Sequence, residues 1–132
     1  MVGTENFQDA AVRHHHDARH LAAGERYQNA GYLVGLAAEC LVKCMLERDG
    51  KSIDRKSGLY RHFPELAQAI GQFVGQGPNM RLLAPIVARS DFLSEWGVGS
   101  RYAGELAPEA AKQQFMAWRS DVSSLFLAVG FP

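Results

Sequence analysis

The apolar residues of this chain recur every three or four positions, and that spacing limits what it can fold into more than any other feature. From Tyr27 onward, Ala30, Val34, Ala37, Leu41 and Cys44 fall on one side of a 3.6-residue helix. Opened by Glu25 and closed near Asp49-Gly50, the segment predicts a helix over 25–48, about 36 Å long at roughly 1.5 Å per residue. It is the strongest element in the sequence, and the other segments carry the same period.

Upstream, Thr4 with Glu5 reads as a helix start, and Phe7, Ala11, His14, Ala18 and Leu21 follow at spacings of four, three, four and three. The resulting helix, about 5–22, carries Asp9, Arg13, His16, Asp17 and His20 outward, and Ala22-Ala23-Gly24 breaks it. Lys51 to Tyr60 is a polar loop. Pro64 then stands where a first helical residue belongs, and Leu66, Ile70 and Phe73 predict a helix over 64–75, ended by Gly75, Gly77 and Pro78. The stretch 80–96 is helical in pattern but holds Pro85, so a helix there either starts at that proline or is kinked by it. Gly97 to Ala107 contains three glycines and reads as an ordered loop. Pro108 opens a last helix over 108–129, in which Ala111, Phe115, Trp118, Val122, Leu125 and Val129 keep a seven-residue repeat. Strand alternation and hairpin turns are missing throughout. The fold class is therefore all-α: one domain over 1–132, a four- to five-helix up-and-down bundle. Its core is expected to contain Phe7, Leu21, Val34, Leu41, Phe115, Trp118, Val122 and Leu125.

Charge narrows the function. Lys and Arg total 14 and Asp and Glu total 14, so the net charge is zero and a surface built to coat nucleic acid along its whole extent is excluded. A local basic loop remains, with Lys51, Arg55, Lys56 and Arg61 diluted by Asp49 and Asp54. Cys40 and Cys44, one turn apart in an apolar stretch, read as two reduced core thiols rather than a disulfide or nucleophiles. The first residues lack a secretory signal, and no uncharged apolar run reaches the 18 or more residues of a membrane span, so a cytoplasmic protein without membrane attachment is expected. His16 and His20 share one helix face in a spacing that suits zinc or nickel, with Asp17 nearby. His14, however, falls on the apolar face, and no HExxH or CxxC spacing exists, so a surface histidine cluster is expected rather than a metal centre, and no cofactor. A Walker loop and a serine elbow are also missing: Gly97-Val98-Gly99 has no third glycine, and Ser94, Ser100 and Ser120 have no elbow motif around them.

The 25–48 helix also carries a polar stripe that a plain core helix would not. Gln28, Tyr32, Gly35, Glu39 and Lys43 fall within roughly 80° of one another. Glu39 and Lys43 stand in the favourable i,i+4 order for an ion pair. The stripe fits either a narrow solvated face or a cleft or dimer face, because charges among Ala37, Ala38, Cys40 and Leu41 need partners or an opening.

Tyr27-Gln28-Asn29-Ala30-Gly31-Tyr32-Leu33, then Ala37-Ala38-Glu39, Leu41 and Lys43, resembles the second helix of HEPN-domain proteins (higher eukaryotes and prokaryotes nucleotide-binding). His62-Phe63-Pro64-Glu65-Leu66 is similar to the family's His-containing start of the following helix. Trp96 and Arg101-Tyr102 resemble the aromatic and Arg-Tyr signature ahead of its last helix, so that the likeness covers about residues 5–128. The resemblance implies a HEPN-like bundle that forms a homodimer and binds nucleotide or RNA. It also implies pairing with a minimal nucleotidyltransferase in a toxin–antitoxin system, and in some members metal-independent RNA cleavage. The ribonuclease members carry Arg, four to six residues, then His at the last helix. Here no histidine follows His62, and Arg55 with His62 or Arg13 with His20 meets that spacing in the wrong part of the chain. Arg61, His62 and Arg101 are the residual catalytic candidates. Glu39, Lys43, His62, Trp96, Arg101 and Tyr102 are the expected ligand-binding set, with Glu39, Lys43 and Arg101 converging on one crevice. Within it, Arg101 either forks onto a phosphate, with Tyr102 stacking, or pairs with a carboxylate such as Glu39 while Tyr102 fills the core. A non-catalytic dimerisation or scaffold module is the alternative reading.

Overall fold

The computed structural model describes residues 5–71 and 77–131. They form five helices and, among the described residues, no strand: α1 (Phe7–Ala23), α2 (Tyr27–Arg48), α3 (Glu65–Ile70), α4 (Pro78–Val87) and α5 (Pro108–Ala128). A 3-10 turn over Val98–Tyr102 precedes α5. The architecture is a helical bundle, as the apolar spacing requires.

α2 is the central stave, packed against α1 and α5, and 13 of its 22 residues are buried. By length and composition it would also suit a membrane span, but 72% of its most apolar stretch is buried by the rest of the bundle. Val34, Leu41, Phe115, Trp118, Val122 and Leu125 lie in the core. Each buried side chain of that size contributes about 1.5–3 kcal/mol relative to exposure. Phe7 and Leu21 sit at the rim instead, half-buried, because α1 covers only one side of α2.

Small residues on α2 let two indoles approach its backbone. Trp118 lies against Gly31, and Trp96 lies so close over Gly35 that a Cβ there would overlap the ring. The Trp96 Nε1–H donates to the carbonyls of Gly31 and Tyr32, both at 3.2 Å.

Several helix ends differ from the sequence expectation. The cap of α1 is Asn6, whose side-chain oxygen accepts the Asp9 N–H at 2.9 Å; Thr4 lies outside the described residues. α3 begins at Glu65, with Pro64 preceding it rather than occupying its first turn, and Phe73 and Gly75 lie outside the described residues. The helix expected over 80–96 starts earlier, at Pro78, and stops at Val87, with Pro85 inside it rather than at its start. Tertiary bonds explain the early stop. Leu93 and Glu95 take left-handed φ of 46° and 68°. The Leu93 N–H donates to Asp121 at 2.9 Å, and the Trp118 indole donates to the Ser94 carbonyl at 2.8 Å. α5 thus shapes the chain leading to Trp96.

Candidate functional site

The loop from α2 to α3 is fixed by apolar anchors, and its polar residues follow from them. Leu59 and Phe63 are 0% and 3% exposed, four residues apart. Between these plugs Tyr60, Arg61 and His62 stand outside in succession. Farther back, the Ser57 N–H donates to Asp54 at 2.8 Å, turning the part of the loop that carries the exposed Arg55 and Lys56.

Glu39 on α2 closes the loop. One carboxylate oxygen accepts the Phe63 N–H at 2.7 Å, and the other faces His62 Nδ1 at 2.9 Å. Glu39 is only 2% exposed, and this burial pushes its carboxyl above the usual carboxylate range, opposed by the bonds from His62 and Phe63 and by the Lys43 charge. With Nδ1 committed to Glu39 and the His62 side chain 55% exposed, Nε2 is the ring nitrogen left for other partners.

Lys43 does not pair with Glu39 as the i,i+4 order suggests. It is 6% exposed, and its ammonium lies 5.6 Å from the Phe7 ring centroid and 5.3 Å from that of Tyr60. Among the described residues no carboxylate lies within 4 Å of it. Cation–π contacts of this kind contribute about 0.5–2 kcal/mol and hold the charge where a salt bridge was expected. Tyr60 in turn donates its hydroxyl to Glu5 at 2.5 Å, which raises the phenol's pKa.

The structure therefore brings together Glu39, Lys43 and His62, with Arg61 beside them, and places the rest of the expected set elsewhere. Trp96 is a core residue. Arg101 and Tyr102 lie at the other end of α2, beside Gln28, which is eleven residues from Glu39, about 16 Å along the helix. Arg101 pairs with no carboxylate among the described residues; its guanidinium stacks 4.9 Å from the Tyr102 ring. Tyr102 is 78% exposed and fills no core. Among the described residues no crevice joins Glu39, Lys43 and Arg101, because Gln28 holds the loop before α5 at the start of α2. The Gln28 side chain donates to the Gly104 carbonyl at 2.9 Å and accepts the Leu106 N–H at 3.0 Å.

Two contributors were missed by sequence reasoning, Tyr60 and Arg26. Tyr60 had a signal, since it directly precedes Arg61-His62 in a basic loop; Arg26 had none, because only folding puts it on the same cleft as Arg101. Of the α1 histidines, His14 and His15 are half-buried and His16 and His20 exposed, and no three candidate ligands group together among the described residues. Burial pushes the Cys40 thiol up to about 11 and raises that of Cys44, which leaves both poor nucleophiles. No family model matches the chain, and no curated protein or solved structure is significantly similar to it.

Proposed function

We propose that this chain is a HEPN-like, nucleotide- or RNA-binding helical module that acts as a homodimer, alongside a minimal nucleotidyltransferase in a toxin–antitoxin system. One observation carries the binding role: Tyr60, Arg61 and His62 stand outside in succession between the buried Leu59 and Phe63. An aromatic ring, a guanidinium and an imidazole offered from a fixed loop supply stacking and phosphate contact together. Arg55 and Lys56 extend the positive edge, so the neutral net charge of the whole chain is no obstacle.

The test is fluorescence anisotropy with a short single-stranded RNA. Arg61→Ala and His62→Ala are expected to weaken binding about tenfold each, and Arg61→Ala to flatten the salt dependence by about one phosphate contact. Binding that ignores both changes defeats the reading. Light scattering on the same samples reports whether the chain is a dimer.

The Glu39–His62 bond favours one second reading, RNA cleavage without metal. In that role Nε2 of His62 takes the proton of the ribose 2′-hydroxyl as its oxygen bonds to phosphorus, the P–O5′ bond breaks with the leaving oxygen protonated by water, and Arg61 holds the phosphate. Cleavage of single-stranded RNA in chelator, lost in His62→Ala, is its expected signature.

A further inference from the structure

The other end of α2 holds a second candidate site, independent of the loop just described. A cleft of 290 Å³ opens between the start of α2 and the segment leading to α5, lined by Glu25, Arg26, Gln28, Asn29, Arg101 and Glu105 among others. Its size lies at the lower edge of ligand pockets, with room for a monosaccharide-sized molecule rather than an oligonucleotide. Among the described residues neither guanidinium has a carboxylate within 4 Å, although Glu25 and Glu105 line the same cleft. Opposite charges that share a cleft without pairing leave both kinds of group open to one ligand.

Glu25 adds a separate observation. α1, α2 and α5 end in the same hydrogen-bond pattern, with a residue of left-handed φ donating to a carbonyl three back and its successor to one five back. After α2 and α5 that left-handed residue is a glycine, Gly50 at φ 88° and Gly130 at φ 64°. After α1 it is Glu25, at φ 63°, although Gly24 stands one position earlier. The conformation disfavours any residue with a Cβ, so the glutamate here carries a conformational cost, and its side chain lines the cleft.

We infer that this cleft binds a small phosphorylated polyol or sugar, its phosphate held by Arg26 and Arg101 and its hydroxyls by Glu25 and Glu105. A phosphomonoester carries close to two negative charges near neutral pH, which matches two guanidinium groups. Carboxylates accept hydrogen bonds, and the hydroxyls of a polyol supply the donors. Gln28 is spent on the backbone of Gly104 and Leu106, which fixes one wall.

The test is titration calorimetry with ribose 5-phosphate, with ribose and inorganic phosphate as separate arms. The sugar phosphate is expected to bind more tightly than either arm, and Arg26→Ala and Arg101→Ala each to weaken it about tenfold or more. Glu25→Gly separates ligand contact from structure. It is expected to raise the urea midpoint, because glycine suits the left-handed position, while weakening the sugar phosphate about tenfold. No binding at millimolar ribose 5-phosphate overturns the inference. So does binding indifferent to both arginines, equal affinity for inorganic phosphate, or full affinity in Glu25→Gly. RNA binding through Tyr60–His62 is read by a different probe and stands or falls separately.

Discussion

Glu39 shows at the residue scale how a polar group survives inside this core. Its carboxylate is buried, but both oxygens are used, one by a backbone N–H and one by an imidazole. Glu39→Ala should therefore cost about 1–3 kcal/mol, because the buried Phe63 N–H loses its acceptor. Glu39→Gln retains an oxygen for that N–H and should lose clearly less; urea denaturation of the two variants checks the order. The sequence marked Glu39 and Lys43 as unusual, since charges among apolar helix neighbours are visible by position alone, and His62 only through the family resemblance of its motif. It did not reveal the pairing. The i,i+4 rule offers Lys43 to Glu39, whereas the folded loop brings a backbone donor that has no other acceptor, and Lys43 settles between two rings. Arg101 failed as a member of the site for a related reason: helix periodicity gives the direction of a side chain on its own helix and says nothing about where a loop residue lands.

At the scale of elements, the helix interiors were legible and several ends were not. α2 and α5 follow their apolar repeats closely, but α4 is set by a group distant in sequence. Asp49, expected to help end the second helix and to dilute the basic loop, caps the start of α4. Its two oxygens accept the N–H groups of Asn79 at 3.2 Å and Met80 at 2.9 Å, and the first also accepts the Asn79 side chain at 2.8 Å. α4 has no side-chain cap from its own N-cap residue, Gly77, so the capping role falls to another helix's end. Asp49→Ala should cost about 0.5–2 kcal/mol. Hydrogen exchange should show the loss of protection concentrated in α4, with α1 little changed. A uniform loss across both helices would show that Asp49 acts on the whole bundle rather than as a cap.

At the scale of the whole molecule, two sets of buried groups give stability an acid dependence of opposing sign. His14 and His15 are held below the usual histidine range, chiefly by burial, with Arg13 and Arg19 the next contributors. His14 Nδ1 is enclosed without a partner among the described residues, and His15 stacks on Phe126 at 4.5 Å, so protonation meets no acceptor at the first and an apolar face at the second. The unfolded chain takes up these protons first. The histidines' contribution is therefore present above pH 6.5 and lost as pH falls through 6.5 and below. Glu39 is raised, so the folded state binds its proton more readily, and that contribution is lost as pH rises from 4.5. Between pH 7 and pH 5 the urea midpoint should fall less steeply in His14→Gln/His15→Gln, and more steeply in Glu39→Gln, than in the unaltered protein; the same slope in all three would contradict both assignments. The amino-acid order alone determined that the chain is helical, where its main staves run and which residues are out of character in them, because a 3.6-residue apolar period is a local property. Only the tertiary structure decided that Asp49 caps α4, that Glu39 holds His62 and that Gln28 ties down the loop before α5. Those contacts join positions 23 to 76 residues apart, and no local period encodes which distant donors and acceptors a packed core will bring within 3 Å.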